Sequence, residues 1–187
     1  MKTLLATLLS CILIGNVLAR DSANRITPEI QAALDQQAQI IAQWAASPVL
    51  INAVKAQNAK GPVPGVTNAQ WRKTPPETPL IQSFQKSPAG AWLAKKMAAS
   101  NGLIREAFLS GAQGEKVAFV EKPTLYLHKG DPKFEVPMTG RPWQGKPEWD
   151  KSSSSYSVQL TTPVFDRGKP IGMLAVGVSM KALKTTP

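Results

Sequence analysis

Apolar side chains return every three or four residues from Ile30 through Leu34, Ile41 and Trp44, with Ala33, Ala38 and Ala45 filling the same stripe. That period is helical and one-sided, so it predicts an amphipathic helix with a face free to cover a sheet. Thr27-Pro28-Glu29 is a start signal for it: a side-chain oxygen at the cap, proline at the first helical position, an acid in the first turn. Ser47-Pro48 repeats the signal, so the helix kinks or restarts there, and Leu50, Ile51 and Val54 carry the stripe on to Asn58. Gly61-Pro-Val-Pro-Gly65 ends the long N-terminal helix, and residues 60–79 read as an irregular connection containing Trp71. A second helical stretch covers Leu80 to Ser100, with another start at Ser87-Pro88 and a stop at Asn101-Gly102. Trp92 and Met97 fall on its inward side.

The period then shortens. Leu103 to Ser110 and Lys116 to Glu121 flank the turn Gly111-Ala-Gln-Gly-Glu115 and form a hairpin. Residues 122–155 are broken by Pro123, Pro132, Pro137, Pro142 and Pro147, and by Gly130, Gly140 and Gly145, so nothing longer than a short helix fits. A connection of that length is functional or disordered, and Tyr126, Trp143 and Trp149 favour packing. Ser152–Ser155 reads as a flexible loop. Tyr156 to Ser179 is a second hairpin about the turn Asp166-Arg167-Gly168-Lys169. Its second strand, Ile171 to Val178, is apolar on both faces, as a covered central strand should be, and Gly172 and Gly177 leave room for curvature or close backbone approach. The order of elements predicts an α+β domain with an antiparallel sheet.

The first residues alter the compartment. Lys2 precedes a mostly apolar run from Leu4 to Leu18, and Val17-Leu18-Ala19 offers a cleavage site before Arg20. Residues 1–19 are therefore read as a secretory signal peptide, leaving residues 20–187 as one domain with its core at about 28–183. The run is shorter than the ~20 residues that span a bilayer, which weighs against an uncleaved anchor. Cys11, the only cysteine, lies inside it; Leu8-Leu9-Ser10-Cys11 imitates a lipoprotein box, but apolar sequence continues beyond. Cleavage would leave no thiol for disulfides, catalysis or metal binding. The expected product is exported, periplasmic and without a transmembrane span. A net charge of +10 favours anionic partners, and export sets nucleic acid aside.

Catalytic chemistry finds little support. His128 is the sole histidine, which rules out a histidine metal cluster within one chain, and no Gly-x-Ser-x-Gly turn or glycine-rich phosphate loop is present. The expectation is a protein that is not an enzyme and has no cofactor or metal. Binding chemistry is better represented. In Arg141-Pro-Trp-Gln-Gly-Lys-Pro-Glu-Trp149, Trp143 and Trp149 offer indole faces, Gln144 can donate and accept, and Arg141 can fork onto a carboxylate. The plainer reading is that both indoles fill core beneath a long loop. For His128 and Tyr126 the plainer reading is a surface or hydrogen-bonded residue, and for Asp166 a turn residue. His128, Lys129, Lys133, Arg141 and Lys146 together favour an anionic or zwitterionic small molecule, such as a carboxylate or amino acid.

Four short motifs occur in a telling order: Ala53-Val-Lys-Ala-Gln-Asn58 after Ser47-Pro48, Asn101-Gly-Leu-Ile-Arg105, Trp143-Gln-Gly145 and Gly168-Lys-Pro-Ile-Gly172. With the closing hairpin they resemble the Cache (PDC-type) extracytoplasmic sensor domains, over roughly residues 28 to 183. The resemblance implies a PAS-like antiparallel sheet of about five strands packed on the long N-terminal helix. It also implies a ligand cavity between the sheet and residues 122–155, with Tyr126, His128, Arg141, Trp143, Gln144, Trp149 and Tyr156 as ligand-binding candidates. Two departures stand out. Many relatives place acids just after the Trp-Gln-Gly turn, where Lys146-Pro147 intervenes here, and Tyr126 to Lys133 does not match the amino-acid-binding members. In membrane-bound relatives the first helix runs into a transmembrane segment and the output domain is cytoplasmic. A chain ending at Pro187 without either is expected to be a stand-alone soluble form that signals by contact with a membrane receptor or other partner, with a homodimer through the first helix as one arrangement. The alternative is a basic interaction protein that binds an acidic envelope component.

Overall fold

The computed structural model describes residues 25–150 and 155–184. Residues 1–19, read above as a signal peptide, Cys11 among them, and the serine run up to Ser154 lie outside the described residues. Helix α1 (Pro28–Ala45) starts where expected, with Thr27 Oγ1 accepting the Ile30 backbone N–H at 3.3 Å. The chain breaks at Ser47, held extended at ψ 130° by the proline that follows, and restarts as α2 (Pro48–Lys60). The next connection is less irregular than its sequence suggests. A capping box between Thr67 and Gln70 nucleates the short α3 (Asn68–Lys73), which carries Trp71 into the interior. Proline-initiated helices α4 (Pro79–Gln85) and α5 (Pro88–Ala98) follow, and Asn101 and Gly102, both at positive φ, turn the chain into the sheet.

The strands are β1 (Ile104–Ser110), β2 (Lys116–Phe119), β3 (Trp143–Gln144), β4 (Glu148–Asp150), β5 (Ser155–Asp166) and β6 (Lys169–Ser179). Helix α6 (Pro132–Met138) interrupts the long connection, and α7 (Met180–Leu183) follows β6. The order across the sheet is β2-β1-β6-β5-β3, every pairing is antiparallel, and β4 joins β5 further along the same edge. The fold class is thus the α+β arrangement anticipated, with the sheet packed on the first helices.

Alternation along the strands creates two cores. Ala107, Leu109, Leu160, Leu174 and Val176 face α1, α2 and α5, where Leu34, Ile41, Leu50, Val54 and Leu93 meet them. Trp92 and Met97 only half-bury against that core. The opposite face carries Phe108, Phe119, Met173 and Ala175, covered by Trp71, Ile81, Phe84, Tyr126 and Phe134. Strand β6 is therefore apolar on both sides, because it lies between two cores. Gly172 permits a close approach: a Cβ there would stand 2.3 Å from the Ser110 carbonyl oxygen and 2.9 Å from Val54 Cγ1. Asn58, at the end of α2, clasps both hairpins. Its Nδ2 donates to the Ile171 carbonyl at 2.7 Å, and its Oδ1 accepts the Ala112 N–H at 2.8 Å. Lys55 adds an ion pair to Asp166 at 3.1 Å. No helix among the described residues is long and apolar enough to cross a membrane.

Candidate functional site

The sheet face opposite α1 is closed at one end and open at the other. At the closed end, residues 122–127 are tied down over the aromatic core. Trp71 Nε1 donates to the Pro123 carbonyl at 2.7 Å, Tyr126 Oη accepts the Val63 N–H at 2.8 Å, and Asn68 Oδ1 accepts the N–H groups of Tyr126 and Leu127 at 2.9 and 2.8 Å. At the open end lies a groove of about 700 Å3, within the range of small-molecule sites. Its floor is a row across three strands: Glu106 of β1, Gly177 of β6 and Gln159 of β5. Gln159 Nε2 donates to Glu106 Oε2 at 2.9 Å and orients that carboxylate. Gly177 keeps the floor open, since a Cβ there would stand 3.2 Å from Glu106 Cβ.

The walls come from Arg105, from Glu121, Lys122 and Thr124 after β2, and from Glu148 and Trp149 of β4. Two cations (Arg105, Lys122) and three carboxylates (Glu106, Glu121, Glu148) therefore share one groove. Lys122 Nζ sits 5.2 Å from the Trp71 ring centroid, which tethers this cation to the aromatic core. Trp149 is 51% exposed and meets Tyr156 edge-on, with ring centroids 5.2 Å apart.

The structure does not gather the seven residues singled out from sequence. Trp149 lines the groove, with Tyr156 half-buried behind it and packed on the first core. Trp143 and Gln144 lie on β3, beside a separate hollow of about 170 Å3 that Asp35, Ala38 and Ile41 of α1 also line. There Gln144 forms a reciprocal amide pair with Gln31, at 3.0 and 2.9 Å. Arg141 is exposed and donates from Nε to Thr139 Oγ1 at 3.3 Å. Tyr126 and His128 are buried in and beside the second core; of the surface or hydrogen-bonded roles expected for them, Tyr126 has the hydrogen bond, to the Val63 N–H, and His128 has neither. The separation has a simple cause. Trp143 pairs with Thr161 and Trp149 with Tyr156, five positions apart on β5, or about 17 Å at strand rise.

Sequence reasoning missed Glu106, Gln159, Glu121 and Lys122. A signal existed in β1, where Glu106 shares the inward-facing alternation with Phe108 and Ser110, an odd place for an acid. Arg105 appeared only as the end of a fold motif. Charge is also misplaced deeper in the fold. Burial pushes the Lys116 amine well below its ordinary value, and burial together with Lys116 and Lys133 pushes His128 down to about 2. Burial also raises the Tyr126 phenol. Among the described residues no three His, Cys, Asp or Glu side chains are placed to hold a metal ion.

The sequence matches no family model and no curated protein. Solved structures do match in shape. The sensor domain of the V. cholerae histidine kinase DctB superposes with a TM-score of 0.57 at 16% identity, over 90% of this chain and 57% of that one. The ligand-binding domain of the Pseudomonas fluorescens chemoreceptor CtaA with L-serine gives 0.48 at 15% identity, over 83% and 55%. That of the Pseudomonas aeruginosa PAO1 amino acid chemoreceptor PctC with GABA gives 0.45 at 14%, over 91% and 61%. The chain thus spans little more than half the length of these domains. An antiparallel sheet backed by an N-terminal helix, and superposing on the DctB sensor domain, gives this chain the fold of the Cache (PDC-type) sensor domains.

Proposed function

We propose that the protein is an exported, non-catalytic sensor module that binds a small zwitterionic metabolite in the groove over Glu106, Gly177 and Gln159. The observation that carries this reading is the groove itself: about 700 Å3, floored by the sheet, walled by residues flanking the long connection, and lined by charges of both signs. Arg105 and Lys122 suit a carboxylate, Glu106 and Glu148 suit an ammonium group, and the Trp149 indole suits the apolar part between them. Of the residues singled out from sequence, this places Trp149 in the site, backed by Tyr156. The leader-like first residues support a periplasmic location. Occupancy would be relayed by contact with a membrane receptor or a second copy of the chain.

A thermal-shift screen of the protein against amino acids, organic acids and amines tests the proposal. A zwitterion should raise Tm, and the shift should vanish in Lys122→Ala and Trp149→Ala while surviving in Arg141→Ala. Hits confined to cations, or hits unaffected by both groove substitutions, would refute it. The net charge of +10 favours a second reading, a basic protein docked on an acidic envelope polymer. Binding of that kind weakens steeply with ionic strength, whereas binding in an enclosed groove changes less.

A further inference from the structure

Where β3 meets the first helix, the face of the sheet opposite the groove keeps the hollow of about 170 Å3. Its lining is mostly apolar, from Ala38 and Ile41 of α1, Leu160 of β5 and Pro142 before β3. Two polar side chains interrupt it. Thr162 lies two residues from Leu160 and two from Val164, both members of the first core, so strand alternation turns it to the same side. It is 7% exposed, yet its hydroxyl forms no hydrogen bond among the described residues. Asp35, exposed, stands at the mouth, one turn of α1 before Ala38. Gln31 Nε2 donates to Asp35 Oδ1 at 2.8 Å, and the same amide is paired with Gln144 of β3, so the carboxylate is held in place. Among the described residues no cation pairs with Asp35. Arg141, which precedes Pro142, is exposed and donates to Thr139 Oγ1 instead.

These groups select a guest. The chain carries a net charge of +10, but this hollow is lined by an acid and by no lysine or arginine, so it attracts a cation and not an anion. A buried threonine hydroxyl forfeits its hydration unless something bonds it, and it can both donate and accept. The volume bounds the guest's size: a cavity of about 150 Å3 holds benzene, so this one takes about six heavy atoms. Gln144, at the Asp35 end, is opposite Leu160, and Thr162 stands two residues further along β5, about 7 Å at strand rise. That separation suits a molecule with a polar group at each end. The geometry points to a second binding site here, for a short aliphatic primary ammonium that ends in a hydroxyl. Its ammonium meets Asp35, its alkyl chain lies against Ala38, Ile41 and Leu160, and its hydroxyl bonds Thr162. The site lies on the other face of the sheet from the groove and does not depend on the groove's being the sensing site.

The test follows thermal unfolding of the protein in 4-amino-1-butanol, n-pentylamine and 1,4-butanediol, three probes of equal length, at constant ionic strength and pH 7.5. The amino alcohol should raise Tm saturably, and the diol, which lacks the charge, should not. Asp35→Asn keeps an acceptor for Gln31 and should weaken the amino alcohol about tenfold. Thr162→Val keeps the shape; it should weaken the amino alcohol about fivefold and leave n-pentylamine unchanged. In the wild-type protein the Ile41 and Leu160 methyl resonances should move with the same saturation curve. The absence of a saturable response, an equal response to the diol, or an undiminished response in Asp35→Asn would each overturn the proposal. So would loss of the response in Lys122→Ala, which would assign the amine to the groove. Zwitterions report on the groove and the amino alcohol on the hollow, so the two readings fail separately.

Discussion

Lowering the pH from 7.5 to 5.0, in dilute buffer free of halides and small carboxylates, should destabilise the protein through His128. In the unfolded chain this imidazole takes a proton near its ordinary value of 6.5, whereas in the fold burial beside Lys116 and Lys133 holds it down to about 2. A lowered value in the fold means that the unfolded chain binds more protons, so stability falls as pH falls, from 6.5 downward. Between pH 6.5 and 5.0 only the unfolded state titrates, and 1.5 units at 1.36 kcal/mol each is a loss of about 2 kcal/mol. Carboxylates also titrate toward the acid end, so the informative quantity is a difference. His128→Phe keeps an aromatic ring against Phe108 and removes the titration. Urea unfolding followed by circular dichroism, at both pH values, should show the wild-type protein losing about 2 kcal/mol more than the variant, or roughly 1 M more in midpoint. Equal losses in the two proteins would refute the account of His128 as a buried, unbonded base.

Other substitutions probe the framework. Gly172→Ala should cost about 1–3 kcal/mol in urea unfolding, because its Cβ would collide with the Ser110 carbonyl and Val54; an unchanged midpoint would refute the close approach. Trp71→Ala should cost about 3–5 kcal/mol, since the indole is fully buried and touches Phe84, Phe119 and Tyr126; a loss below 1 kcal/mol would mean that the second core is not packed as described. Asn58→Ala should cost about 1–3 kcal/mol by stranding the Ile171 carbonyl and the Ala112 N–H, and hydrogen exchange at Ala112 should accelerate; unchanged exchange there would refute the clasp.

The parts of the fold that could be read in advance are those where local chemistry and tertiary packing agree. Thr27-Pro28 and Ser47-Pro48 start helices in any context, and Arg167-Gly168, both at positive φ, close the last hairpin as their types suggest. Helix α3 was hidden because Asn-Ala-Gln-Trp-Arg-Lys has no apolar period; only its capping box marks it. Strands β3 and β4 are two and three residues long, too short for any alternation to show. The groove was illegible for a different reason. Glu106 and Gln159 stand 53 residues apart, and each looks like an ordinary polar position until the sheet places them side by side. Lys116 opens a hairpin strand as a surface lysine would, and is buried only because residues after β2 fold back over it. Trp143 and Trp149 misled through sequence proximity, which β5 converts into distance.

Strand β6 is the last strand along the chain, yet it occupies the middle of the sheet between β1 and β5. Everything translated earlier, including the helices whose stripes await a surface, lacks its main docking plane until this strand arrives. Assembly is consequently a late, concerted event dominated by contacts between distant parts of the sequence. A polypeptide built this way stays unfolded until its last strand is made, and a stop or frameshift before Lys169 would forfeit the whole architecture rather than trim its edge.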